Sequence, residues 1–260
     1  MKKIAALLTL ITLAFSCSSD DDNQPNNVPQ NVNATFNFSH NWDGISVTST
    51  NFNTIQYINA NGEEMSIEKL RHLISNVTFH KSNGETIVID GYNLIDVTND
   101  SGLVYAPDID IPTGSYENVS FTFGFNNDDN YNNNYPDLNS ASWNVPDMMG
   151  GGYHYMQLEG KFINDADVEI GYAYHTIRAV NLTNAPDLLF QDTFFIVDLG
   201  AVNVSNNISF NIEMNIAEWF KNPNQWNLNI LNNMLMPNFD AQVMMYENGQ
   251  NAFSLGSISQ

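Results

Sequence analysis

Asn33-Ala34-Thr35-Phe36-Asn37-Phe38-Ser39-His40 alternates in a strict period of two, with Phe36 and Phe38 on one face and polar residues on the other. That period belongs to a β-strand buried on one side only. The same grammar recurs downstream. Val119-Ser120-Phe121-Thr122-Phe123-Gly124-Phe125 reads as a second strand, introduced by the turn Pro112-Thr113-Gly114. Residues 73–80 alternate less cleanly, and Ser82-Asn83-Gly84 turns them into 86–89 as a hairpin. Segments 153–162, 168–179, 193–199 and 208–215 continue the series. Only 67–72, capped by Ser66, and 216–220 suggest short helical turns. The expectation is an all-β fold, a β-sandwich or distorted barrel of mostly antiparallel strands with one or two short helices, over residues 33–260.

The N-terminus has a different logic. Lys2 and Lys3 precede an apolar run from Ile4 to Phe15 that is too short for a bilayer, which takes about 20 residues. The run ends at Cys17, the one cysteine of the chain. A secretory signal closing on cysteine resembles a bacterial lipoprotein signal, with residues 1–16 removed and Cys17 lipidated. Ser18-Ser19-Asp20-Asp21-Asp22 and the Pro/Asn/Gln stretch behind it bury nothing, so 17–32 reads as an acidic flexible tether. The Ser-plus-acidic start is similar to the export signals of Bacteroidota lipoproteins. It implies a place at the outer membrane, lipid-anchored and facing the cell surface, with the periplasmic face as the alternative.

Charge narrows the function. Eight Lys and Arg against 29 Asp and Glu give −21 at pH 7. Such a field repels nucleic acid and favours cations. With no second cysteine there is neither an internal disulfide nor a thiolate metal site. A soft-metal site must then use imidazole, helped by thioether.

Five histidines are available: His40, His72, His80, His154 and His175. His154 and His175 fall on consecutive strand segments joined by a turn at 164–167, a spacing that can put both rings on one face. His40 ends the first strand, a rim position. His72 in a helical turn and His80 beside a hairpin read more simply as surface or interface histidines. Met148, Met149 and Met156 could add thioethers, although core packing is the commoner use of methionine. The polar insertion 126–139 is dense in oxygen and could hold Ca²⁺, yet its spacing matches no calcium loop. Gly150-Gly151-Gly152 lacks the Lys-Ser/Thr of a phosphate loop, so close backbone approach under an aromatic or a ligand is the better reading.

These residues carry a family likeness. Phe38-Ser39-His40, Leu70-Arg71-His72-Leu73-Ile74-Ser75-Asn76-Val77, Pro112-Thr113-Gly114-Ser115-Tyr116 and Phe121-Thr122-Phe123-Gly124 resemble, in order and spacing, the MbnP-like copper-binding domain. The likeness continues through Met148 to Gly160, with its core Gly152-Tyr153-x-x-x-x-Leu158-Glu159-Gly160, and on to Tyr174-His175. It implies a mostly β, extracytoplasmic protein that holds copper through histidines, here His40, His154 and His175. It also implies, for some members, a tryptophan oxidised to kynurenine by a separate di-haem enzyme. The family's tryptophan-containing run is replaced here by Gly150-Gly151-Gly152, and Trp143 lies upstream of it, so the modification is not carried over.

Two functions follow. One is a lipid-anchored copper-binding protein for capture, storage or delivery, with a metal-transfer or di-haem protein as partner. The other is a metal-free surface module that grips a glycan or protein with Trp42, Trp219, Trp226 and its Tyr/Asn-rich loops. An enzyme is not indicated: no nucleophile elbow and no His-Glu-x-x-His motif is present.

Overall fold

The computed structural model describes residues 30–183 and 185–260; the signal-like segment, Cys17 and the tether up to residue 29 lie outside the described residues. Among the described residues nine strands have seven residues or more. They are β1 (Asn31–Trp42), β2 (Lys69–His80), β3 (Thr86–Asp96), β4 (Gly114–Phe123), β5 (Met156–Ile163), β6 (Glu169–Thr176), β7 (Phe195–Val204), β8 (Ile208–Asn215) and β9 (Phe253–Ser259). Two α-helices, α1 (Pro136–Ser140) and α2 (Phe239–Gly249), and a 3₁₀ turn at Ile216–Phe220 complete the frame. β1 begins within the stretch read as tether, because Asn31 and Val32 already pair with Pro112 and Ile111.

Two sheets form. One runs β9-β8-β1, with β1 and β8 parallel and short strands along the free side of β1. The other runs β7-β4-β2-β5, with β3 alongside β2 and β6 alongside β5, all antiparallel. Their inner faces meet through aromatic rings. Phe36 reaches Phe79 at 6.5 Å between centroids, and Phe38 reaches Phe121 at 6.2 Å. The alternation of β1 places Ala34, Phe36, Phe38, His40 and Trp42 on this inner face, all buried. The expected all-β sandwich, mostly antiparallel, is what the chain forms.

Two elements depart from the expectation. Residues 67–72 are not helical, since Lys69 onward belongs to β2 and pairs with β3 and β5. β2 alternates imperfectly because a bulge at Asn76, with φ of 50°, shifts its phase between Ser75 and Val77. Helix α2 escaped the sequence because its buried face carries Gln242 and Asn248 beside Ala241 and Met245. Gln242 donates to the carbonyl of His175 at 2.8 Å, which fixes the end of β6. Among the described residues no helix is long and apolar enough to cross a membrane.

Candidate metal centre

Strand β2 carries titratable residues on both faces. His72 points inward with Leu70, whereas Lys69 and Arg71 point outward. In the antiparallel register Arg71, Gln157 and His175 form one outward row, and Lys69 and Glu159 lie one step along. The outer face is covered by the segment that follows α1. Trp143 lies on it, fully buried, with the Arg71 guanidinium 4.7 Å from its ring centroid. Arg71 also donates to the Ala141 carbonyl at 3.0 Å.

Here His154 and His175 meet. Their rings stand 5.3 Å apart at 83°. His154 lies just ahead of β5, and both its backbone N–H and its Nδ1 lie 2.9 Å from the Trp143 carbonyl. A carbonyl only accepts, so Nδ1 carries the proton and Nε2 is a bare nitrogen. That Nε2 is buried and has no hydrogen-bond partner among the described residues. Burial pushes the His154 pKa down to about 4, which keeps the ring neutral and able to bind metal. His175 Nε2 lies 2.9 Å from Glu159 Oε1, and Lys69 Nζ reaches the same oxygen at 2.9 Å. The bond from His175 and then Lys69 hold Glu159 down to about 2, so the carboxylate is the acceptor and His175 the donor. Nδ1 of His175 is then its free lone pair when the ring is neutral. Ligating histidines characteristically donate their second N–H to a carbonyl or carboxylate, and both rings here do so.

His40 is elsewhere. It lies on the inner face, not at a rim, because β1 continues to Trp42, and it is 4% exposed. Its Nε2 is 2.9 Å from Nε2 of His72 on the facing sheet. The expectation of a surface His72 is corrected: the side chain is fully buried, against Phe38, Phe123 and Phe253. Burial holds His40 down to about 4 and His72 well below its ordinary value, the latter also through repulsion from His40. His80, half-buried at the end of β2, has its Nε2 2.9 Å from the Ser120 hydroxyl. The five histidines therefore form two pairs on opposite faces of one sheet, plus a single.

Other sequence readings find their place. Met148 is 75% exposed, while Met156 is buried on the inner face beside His72. In the insertion, Asn130 and Asn132 side chains accept from the backbone of Tyr153 and Gly152 and so pin the glycine loop. Gly150, with φ of 94°, lies against the Phe190 ring, the close approach expected of that triplet. Among the described residues, no three His, Cys, Asp or Glu side chains gather at one point. Glu159, read in the sequence only as part of the family core, and Trp143, read only as an upstream tryptophan, sit beside the outer histidines as their hydrogen-bond partners. All four tryptophans are buried, so none offers an exposed platform.

A model of the MbnP family matches residues 30–241. Among solved structures, MbnP from Methylosinus trichosporium is similar at 12% identity and a TM-score of 0.44, over 70% of this chain and 76% of that one. No curated protein matches the chain.

Proposed function

The chain belongs to the MbnP family, a family of non-catalytic extracytoplasmic binding proteins, and on that premise we propose that it binds copper for capture, storage or delivery through His154 and His175. One observation carries the reading: His154 Nε2 is a buried, bare nitrogen without a partner among the described residues, and beside its ring stands a second histidine whose Nε2 is held by a carboxylate. Two neutral imidazoles suit copper in either oxidation state, and a carboxylate behind one of them raises its basicity. The His175 side chain is 17% exposed, which leaves an entry path. The cell places such a protein by the lipid on Cys17, at the outer membrane and facing outward. A metal-transfer protein or a di-haem enzyme is the corresponding partner.

The metal-free module loses its main argument, because Trp42, Trp219 and Trp226 are core residues.

Copper(II) tests the outer pair. After loading and exhaustive desalting, the wild-type chain should retain Cu(II) with nitrogen hyperfine structure in its electron paramagnetic resonance spectrum. His154→Ala with His175→Ala should abolish that signal. Equal retention by the two proteins, or none by the wild type, would remove these ligands from the reading.

A further inference from the structure

We propose a Ca²⁺ site in the acidic cleft between the short hairpin Tyr57–Met65 and the β5–β6 turn, with Glu63 and Asp165 as its carboxylate ligands. The cleft lies at the end of the β5–β6 hairpin remote from His154 and His175. It is built from other residues than the insertion 126–139, and it does not depend on the copper reading.

Three pieces of chain build the cleft. Tyr57 and Ile58 pair with Met65 and Glu64, and Met65 pairs in turn with Phe162 near the end of β5. The turn that follows folds around Asn164, whose side-chain oxygen accepts from the N–H groups of Ala166 and Val168. The segment after Trp226 backs both, because the Leu228 N–H and Asn229 Nδ2 donate to Glu63 Oε1 at 3.0 and 3.1 Å. The space has a volume of about 380 Å³, and Glu63, Glu64, Asp165 and Asp167 line it. No basic side chain does so; Lys161 on β5 is engaged by Glu68 and Glu169.

An acidic lining alone is only a solvated surface. Glu63 makes the difference. It is 6% exposed, and its two oxygens are treated unequally. Oε1 accepts from Leu228, from Asn229 and from Asn61 Nδ2, all neutral donors. Oε2 is buried and has no partner among the described residues. Either protonation state leaves that oxygen unsatisfied: a carboxylate lacks a cation there, and a carboxylic acid would lack an acceptor for its O–H. Burying such a group unpaired costs free energy that an apolar side chain would not.

A second carboxylate converges on it. Asn229 Nδ2 also donates to Asp165 Oδ1, at 3.0 Å. One nitrogen thus holds side by side two carboxylates from different loops, and Glu63 Oε2 and the second oxygen of Asp165 are left for a cation. Glu64 and Asp167 supply field rather than bonds, since no three acidic side chains meet at one point among the described residues. Two carboxylates completed by amide oxygens and water suit Ca²⁺, which takes about 6–8 oxygens and tolerates irregular geometry. Mg²⁺ demands a small regular octahedron, and Zn²⁺ and copper prefer the nitrogen and sulfur donors that this lining lacks.

The test is calorimetric titration of the metal-free full chain carrying Cys17→Ala with CaCl₂ at physiological salt. One Ca²⁺ should bind per chain, with Kd tighter than about 10⁻³ M. At about a hundred times Kd the thermal midpoint should rise by about 5–10 °C, and Mg²⁺ at the same concentration should leave it nearly unmoved. Glu63→Gln keeps an acceptor for the three donors but removes the charge, and should weaken binding about tenfold or more. Asp165→Asn should do the same, and at an exposed position it reads the site even where Glu63→Gln fails to fold. Asp128→Asn with Asp129→Asn, in the insertion, should change nothing, and neither should His154→Ala with His175→Ala. No saturable Ca²⁺ binding, binding unchanged by both Glu63→Gln and Asp165→Asn, or a loss confined to the Asp128 and Asp129 pair would overturn the proposal.

Discussion

The Trp143 carbonyl decides what His154 can do. By taking the Nδ1 proton it leaves Nε2 as the only free nitrogen of that ring, buried and without a partner. Glu159 does the same for His175 from the opposite end, accepting at 2.9 Å. Glu159→Gln keeps an acceptor in place but removes the charge behind the ring. Copper(II) affinity should then fall about 10–100-fold, measured by chelator competition, while the thermal midpoint of the metal-free protein changes little. An unchanged affinity would mean that Glu159 only buttresses Lys69. The spacing of His154 and His175 made their meeting legible in the sequence. The partners that set their tautomers were not, since a backbone carbonyl leaves no trace in a residue pattern. His40 was legible in principle: the alternation that buries Phe36 and Phe38 buries His40 as well, and only the assumption that β1 ended there put it at a rim.

At the scale of the element, β2 changes its inward phase part-way along its length. Up to Ser75 its even-numbered residues face the core. The bulge at Asn76 then moves Val77 and Phe79 inward. A left-handed residue is required there, and asparagine tolerates that conformation better than other side chains with a Cβ. Asn76→Gly should therefore cost less than about 1 kcal/mol, whereas Asn76→Val should cost about 1–3 kcal/mol, both read from urea unfolding. Equal costs would show that the side-chain bond from Asn76 to Asp129, not the backbone, matters at this position. The misreading of 67–72 has a local cause. Ser66 before Ile67-Glu68-Lys69 imitates the capped start of a helix. The clean strands, β1, β4 and β8, were read because one face of each is apolar, with His40 of β1 as the exception. Helix α2 was missed because the amides on its buried face do work that hydrophobic periodicity cannot register.

For the whole molecule, two electrostatic effects pull in opposite directions as pH falls. The chain carries −21 at pH 7 and has a pI near 4.1, so acidification relieves its self-repulsion and on that account should stabilise the fold. The buried histidines act the other way. His40 and His154 are each held down to about 4 by burial, against 6.5 when unfolded. Their folded pKa values are depressed, so below 6.5 the unfolded chain binds protons that the folded one refuses. Stability is fully present above about 6.5 and declines as pH falls toward 4, by up to about 3 kcal/mol for each of the two. Glu159, held near 2, contributes a further loss only between its ordinary value of 4.5 and 2, below the histidine window. Buried desolvation should outweigh diffuse surface repulsion, which salt screens. The metal-free protein is therefore expected to lose urea resistance steadily from pH 6.5 to 4.5, in 0.15 M salt as in low salt. His40→Phe with His72→Phe should flatten that slope. A stability that rises over the same interval would show that relief of the −21 charge dominates, and that the inner pair accepts a proton without opening the sandwich.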